Sequence, residues 1–493
     1  MATRETPAEQ IERLLRVGDA VGAERAATAF LATSPSSFLA RLGRCRALLM
    51  MSRVIEAERD LDAALRASPK DEHARLLRAT IDNRYGRADE AMTLLRPIAC
   101  GRGPHAAEAM VTLLDLLFQT GKREEMRELS ATKGAWNTHP RAAMHLARVQ
   151  SFDDPAAAVA SMRAVLRGNF PLQQRRLAGF EAAGLLDKLG QYRDAFAAAR
   201  EAHDTTGDDF DLDVFLRPIV EQATRMEKGD NWIAAATAGR SVERVQGVAL
   251  MVAQPRSGTT LLEQMLDRHP AISGIGEFDG IRWICEGLKA DPAWPRRPEL
   301  VPTARAAQLQ ALYFEGANRI RRPGAQWLFD KTLRTWRSLP EVAVVLPGAL
   351  CIDVHRDPRD MATSIFLSYF TPGTMGWVRS FAGMQRVIEI ERRLIPRMME
   401  VLEIPHQTVV YEDLVDDPAT HAGRCLSAMG LPMDARVLNP EANPRAAITL
   451  SALQVRQPIN RSSIGRWKNY EWAFDASWDA LVSAHEARRG APH

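Results

Sequence analysis

The chain has 493 residues, with Lys+Arg 64 against Asp+Glu 61 and a net charge of +3. At about 100–200 residues per domain, two or three compact units are expected, and the balanced charge leaves no basic footprint for nucleic acid. Apolar residues at 46% and charged residues at 25% exclude a wholly disordered or fibrous chain. Five Cys, at 45, 100, 285, 351 and 425, are too few and too scattered for a disulfide framework or a paired-Cys metal site. They fit a reducing, cytoplasmic setting.

The N-terminal run MATRETPAEQIERLLRVGD is charged within its first dozen residues and lacks the apolar core of a secretory signal. The longest apolar stretch, Val342–Val354, is broken by Pro347 and Gly348 and carries Asp353. It is too short to span a bilayer, so no membrane insertion is expected. Composition changes near residue 230: of ten Trp, only Trp136 precedes that point. The first part is rich in the helix formers Ala, Leu, Arg and Glu.

That first part repeats. Ala23, Ala57 and Ala91 are 34 residues apart, and Gly18, Ser52 and Gly86 keep the same spacing five residues earlier. Pro35 and Pro69, each after a Ser, and Leu61 and Leu95 obey the same period. Gly121 follows Gly86 by 35, and Gly190 follows Gly121 by 69, close to two more periods. A helix–turn–helix period of this length is that of tetratricopeptide repeats. A small residue at the helix crossing allows close approach, Gly or Ser breaks the chain between helices, and Pro starts the next unit. One hairpin cannot bury its apolar face alone, so the units stack. Residues 130–175 carry the pattern least clearly, and a generic helical bundle is the plainer alternative.

The second part alternates strands and helices. Gln246–Ala253 reads as a buried strand, and Thr260–Arg268 has helical spacing of Leu261, Leu262, Met265 and Leu266. Further strands are expected at Trp327–Phe329, Leu350–Val354 and Gln407–Tyr411, with a long helix over Arg379–Leu402. Such alternation predicts a mostly parallel sheet with helices on both faces.

Two segments carry chemistry. Pro255-Arg256-Ser257-Gly258-Thr259-Thr260 lies between a strand and a helix. A tight Gly turn at a helix N-terminus offers backbone N–H groups and the positive dipole end, to which the hydroxyls and Arg256 add donors and a cation. This suits phosphate or sulfate. It is not the nucleoside-triphosphate loop, because Ala253 stands at its first Gly and Thr259 at its Lys, which disfavours kinase or ATPase chemistry. An ordinary strand–helix turn with polar caps would use the same residues. In the second segment, ALCIDVHRDPRDMATS over 349–364, Arg356 ends a strand, Pro358 opens a helix and Ser364 follows Arg356 by eight residues. Ligands of open α/β sheets bind at the carboxyl ends of strands, so this pair suits a second phosphate. A surface ion pair of Arg356 with Asp357 or Asp360 is the alternative, and His355 is expected to pack or cap locally.

PRSGTT after one strand, HRDPRDMATS after a later one, YEDL at 411–414 and QVRQPINRSSIGRWKNYE at 454–471 together resemble the sulfotransferase superfamily. The whole arrangement is similar to bacterial sulfotransferases with N-terminal tetratricopeptide repeats, whose catalytic domains are similar to tyrosylprotein sulfotransferases. The resemblance covers about residues 245–480 and implies the donor 3′-phosphoadenosine 5′-phosphosulfate, with no metal. By that resemblance Arg256, Ser257, Gly258, Thr259 and Thr260 hold the 5′-phosphosulfate. Arg356 and Ser364 hold the 3′-phosphate, and Tyr411 lies beside the adenine. Arg461 and Ser462 fall in the segment that closes over the 3′-phosphate, and Gly465, Trp467 and Lys468 match its G-x-W-K ending. Asn460 and Ser462 depart from the Arg and Gly of many cytosolic members.

Sulfuryl transfer is an in-line displacement at sulfur, in which positioned cations stabilise charge on the leaving phosphate. Arg256 and Lys331 match basic residues of the family and are the candidates. Cytosolic members use a His two residues after the Lys, where this chain has Leu333. Tyrosylprotein sulfotransferases use a Glu in a Gly-Glu pair, matched by Gly276-Glu277, so Glu277 is the candidate base. A carboxylate with its usual pKa of about 4.3 is a weak base toward a phenol at about 10; burial beside the sulfuryl site is expected to raise it, with Arg256 and Lys331 pulling the other way. An N-cap or an ion pair to Arg256 is the structural alternative for this residue.

The expected organisation is a multidomain chain: an all-α repeat solenoid over 1–225, a linker over 226–240, an α/β sulfotransferase domain over 241–488 and a tail over 489–493. The concave face of the solenoid offers a surface for a protein acceptor or assembly partner. A tyrosine or another hydroxyl on a protein would then be the acceptor, with glycan, lipid and metabolite hydroxyls open. The alternative from another class is a non-catalytic repeat adaptor carrying a degenerate sulfotransferase domain.

Overall fold

A computed structural model of the chain describes residues 5–207, 210–227, 242–333, 335–370, 375–445 and 456–489. From 228 on, the expected linker lies outside the described residues, and of the tail only Arg489 is described. The chain divides into two compact units, Met1–Val149 and Gln150–His493. The division falls within the helical stretch, and the second unit carries the helices from Pro155 to Glu227 together with the sheet.

Up to Glu227 the described residues form helices and turns without a strand. The periodic positions explain why. Gly18, Ser52, Gly86, Gly121 and Gly190 all have left-handed backbones, with φ of 81°, 58°, 76°, 72° and 74°. Each therefore reverses the chain between two helices, which Gly does without steric cost and Ser52 does against one. Five residues later Ala23, Ala57, Ala91, Met126 and Ala195 are fully buried. Small side chains at most of these crossings set the helices close. The prolines serve differently from the expectation. Pro35 and Pro69 lie in the connecting turns, and the next helices are capped by Ser37 and Asp71, which accept from Ala40 N and Ala74 N.

In the second unit five parallel strands are ordered β2-β3-β1-β4-β5. They are β1 Val248–Val252, β2 Ile272–Gly276, β3 Trp327–Asp330, β4 Leu350–His355 and β5 His406–Val410. β1 and β4 are buried along their whole length, as central strands covered on both faces should be. Their side chains join those of flanking helices in one core that includes Met251, Leu262, Met265, Phe329, Ile352, Val354 and Val409. β2 has no counterpart among the strands read from sequence. Its ISGIG run is poor in strand-forming residues, and its register on β3 shifts between Gly274 and Gly276. Among the described residues no helix is long and apolar enough to cross a membrane.

The strand order positions the site. From β1 the chain moves outward to β2 and back to β3 on one side, then crosses to β4 on the other side. The carboxyl ends of β1 and β4, paired as far as Val252 and Asp353, therefore diverge into loops that face one crevice. Those two loops are the two anion-binding candidates.

Candidate active site

The loop after β1 is tightly wound. Arg256 and Gly258 both have positive φ, 69° and 89°. A non-glycine residue holds such a conformation at a cost of about 1–2 kcal/mol, a cost that recurs at ligand-binding turns. A Cβ on Gly258 would fall 2.1 Å from the Tyr411 ring, so only Gly fits there. The helix Thr259–Leu266 begins with no side-chain cap from Gly258, so that residue satisfies none of its first-turn N–H groups. Ser257, Thr259 and Thr260 are buried.

The two loops interlock. Arg356 donates from Nη1 to the Arg256 carbonyl at 2.7 Å, and from Nη2 to the Ser463 carbonyl. Arg256 Nε donates to Ser364 Oγ at 2.8 Å. The Arg356 guanidinium lies 4.9 Å from the Tyr411 ring centre, and its buried Nε has no hydrogen-bond partner. Arg356 is thus not in a surface ion pair: it is buried, Asp360 stands at 4.0 Å, and Asp357 instead caps the helix Pro358–Phe366. Asp360 uses both oxygens on the C-terminal segment, accepting from Gly465 N at 2.7 Å and Trp467 N at 2.8 Å. The Arg359 guanidinium stacks 3.5 Å from the Trp467 ring centre.

Positive charge accumulates here, with Arg256, Arg356 and Arg466 close enough to act on one another. Burial, then the neighbouring Arg356 and Arg466, push the Arg256 guanidinium down to about 9 from its usual 12.5, with Tyr411 opposing. An anion in the crevice would relieve that repulsion, and the unpartnered Arg356 Nε supplies a donor for it. The residues present therefore fit a ligand with two anionic groups.

The second cluster sits at the ends of β2 and β3. Lys331, 1% exposed, donates from Nζ to Glu277 Oε1 at 2.8 Å and from its backbone N to Gly276 O at 3.0 Å. The expected burial of the candidate base is not present, because the Glu277 side chain is 50% exposed at the mouth of β2. Its partner is Lys331 rather than Arg256. The buried Asp330 shapes this turn, accepting from Thr332 N at 2.9 Å and from the Tyr313 hydroxyl at 3.0 Å. Behind Gly276, Glu263 accepts from Gly276 N at 3.0 Å and Asp267 from Gly274 N at 2.7 Å, and Arg445 bridges the two carboxylates.

Of the residues singled out from sequence, Arg256, Ser257, Gly258, Thr259, Thr260, Arg356, Ser364, Tyr411, Gly465 and Trp467 meet at the crevice. Arg461, Ser462 and Lys468 do not: all three are exposed, with Arg461 paired to Asp416 and Ser462 bonded to Asn460. Sequence reasoning named Asp360 only as an alternative ion-pair partner of Arg356 and missed Glu263, Asp267 and Arg445; their partners are more than 100 residues away or lie across a strand end. Among the described residues no group of His, Cys, Asp and Glu is arranged to hold a metal ion.

Under the first loop, Glu391 of the helix Phe381–Val401 is buried beside Gln254, and burial, reinforced by Asp353 and opposed by Arg392, raises its carboxyl to about 8. The folded chain then keeps a proton that the unfolded chain releases near pH 4. Folding stability should fall as pH rises from about 5 to 8, this group contributing a slope of up to about 1.4 kcal/mol per pH unit. Asp330, raised by burial to about 7, acts in the same direction. Urea unfolding across that range should show a shallower fall for Glu391→Gln; an unchanged slope would mean that Glu391 ionises normally.

A family model described as Sulfotransferase family matches residues 249–435, from β1 past β5 and the helices Tyr411–Asp416 and Pro418–Ala428. An uncharacterized protein of Aquifex aeolicus (strain VF5) is 24% identical over 433 residues, covering 84% of this chain and 55% of its own length. The chain thus spans about half the length of that curated relative. Among solved structures, the sulfotransferase domain of the Synechococcus PCC 7002 olefin synthase is similar at 18% identity and a TM-score of 0.36, covering 51% of this chain and 98% of its own. The sulfotransferase domain from the curacin biosynthetic pathway follows at 16% and 0.34, covering 50% of this chain and 99% of its own. A sulfotransferase from Alicyclobacillus acidocaldarius stands at 13% and 0.25, covering 48% of this chain and 100% of its own.

Proposed function

We propose that the chain is a sulfotransferase that uses 3′-phosphoadenosine 5′-phosphosulfate and delivers the sulfuryl group to a hydroxyl acceptor. The observation that carries this reading is the interlock of Arg256 and Arg356 at the divergence of β1 and β4. It offers two neighbouring cationic loops to one doubly anionic ligand, inside the segment matched by the family model. The 5′ loop comprises Arg256 to Thr260. Arg356 and Ser364 take the 3′-phosphate, Tyr411 lines the adenine side, and the segment with Gly465 and Trp467 covers it.

The bound donor would supply the sulfuryl group. Glu277 takes the proton of the acceptor hydroxyl on its carboxylate, one oxygen of which is already held by Lys331. Lys331 and Arg256 place positive charge where negative charge develops on the leaving side. Lys331 is buried and fixed by its backbone bond to Gly276, so its ammonium group needs little reorganisation. The catalytic domain is assigned to 241–488. The helices of 1–225, read as tetratricopeptide-type repeats, present a protein whose tyrosine is the acceptor. The assignment includes a cytoplasmic location.

The test is binding and transfer with the full chain. Adenosine 3′,5′-bisphosphate should raise the unfolding temperature by several degrees at 100 times its Kd, since a ligand of the folded state adds about 2.7 kcal/mol there. Adenosine 5′-monophosphate should do so far less. A transfer assay with labelled donor and separate protein, glycan and phenolic pools identifies the acceptor. No thermal shift and no transfer to any pool would favour the adaptor reading.

A further inference from the structure

Two helices of the helical stretch, Leu172–Lys188 and Tyr192–Asp204, share a compact unit with the sheet. They are built into its C-terminal segment. Phe196 stacks on Phe366 of the helix after β4, with ring centres 4.6 Å apart, and His203 Nε2 meets the Phe366 carbonyl at 3.0 Å. Tyr192 meets Tyr470 edge-on at 5.6 Å, and the Arg193 guanidinium lies 3.7 Å from the Trp472 ring centre.

Asp187, in the last turn of the first helix, holds the segment by both oxygens. Arg466 Nη2 donates to Oδ2 and the Tyr470 hydroxyl to Oδ1, each at 2.6 Å. The pair is largely sheltered, with the Asp187 side chain 11% and the Arg466 side chain 22% exposed. Arg466 stands between the two residues whose amides Asp360 captures, three positions after the carbonyl that receives Arg356. The backbone on either side of it is therefore held by the α/β body, and its guanidinium by the helical stretch.

We propose that Asp187 is a positioning residue of the donor site, which, through Arg466 and Tyr470, holds the 463–467 segment over Arg356 and keeps the Arg466 guanidinium there as a third cation of the site. This rests on the sulfotransferase reading. The helical stretch then contributes directly to donor affinity, and a ligand or partner that displaces Asp187 loosens the donor.

The experiment is calorimetry of the full chain with adenosine 3′,5′-bisphosphate, together with steady-state kinetics. Asp187→Ala should weaken the bisphosphate about tenfold, the effect of losing one charge-assisted contact, and leave the acceptor KM within about twofold. Arg466→Gln, which keeps a donor for Asp187 but removes the charge, should weaken it by a similar factor. The exchanged pair Asp187→Arg with Arg466→Asp should recover the unfolding temperature but not the affinity. Parent-like affinity in either single variant, or recovered affinity in the exchanged pair, would overturn the proposal and leave Asp187 a brace only. Absence of bisphosphate binding by the parent chain would instead overturn the sulfotransferase reading, and this one with it.

Discussion

Glu277→Gln should bind adenosine 3′,5′-bisphosphate within about twofold of the parent and lose transfer by about 10²–10⁴-fold, the range of a general base. The amide is isosteric and can still accept from Lys331 Nζ, so the buried ammonium keeps a partner, but it cannot take the proton of the acceptor. Glu277 is half-exposed, so the change should disturb the fold less than any truncation of Lys331, and thermal unfolding of the variant separates chemistry from stability. Lys331 is the opposite case: at 1% exposure its truncation would disturb both. Calorimetry and a labelled-transfer assay on one preparation decide the matter. Unchanged turnover would remove Glu277 from the base role and point to the acceptor or solvent for the proton.

Arg356→Ala should weaken adenosine 3′,5′-bisphosphate by about 10–100-fold and adenosine 5′-monophosphate much less, because the lost charge and the unpartnered Nε donor are proposed to serve the group that only the former carries. The same change leaves the Arg256 and Ser463 carbonyls without their partner, so a stability cost of about 1–3 kcal/mol accompanies it. Arg356→Lys keeps the charge while losing the fork that reaches two carbonyls at once, and separates the two effects. It should retain part of the preference for the bisphosphate and share most of the stability loss. Equal weakening of both nucleotides by Arg356→Ala would make the residue a brace between the loops and nothing more.

Much of the candidate site's local geometry is legible in the chain. The left-handed turns fell on Gly and Ser at one period because helix reversal needs that backbone. The loop after β1 was recognisable because a strand, a Gly turn and a helix are contiguous in the chain. The helix Pro358–Phe366 was announced by its Pro and is capped by the Asp before it. β2 was not legible, since two Gly and a Ser in five residues carry no strand preference and its pairing is supplied by β3. Nor was the exposure of Glu277 or the solvent-facing position of Arg461, Ser462 and Lys468, which depends on how the C-terminal segment lies across the crevice.

Local order was therefore written in the chain itself: helical repeats, alternating strands and helices, and two cationic turns at strand ends. These follow from short-range backbone preference and from the periods at which apolar side chains recur. Which cation meets which carbonyl was decided only by the assembled sheet. Arg356 reaches Arg256 because β4 lies beside β1, although 100 residues separate them. Asp360 captures Gly465 and Trp467, and Asp187 captures Arg466 and Tyr470, because distant segments are brought to the same strand ends. Such partners share no sequence spacing, so packing alone selects them.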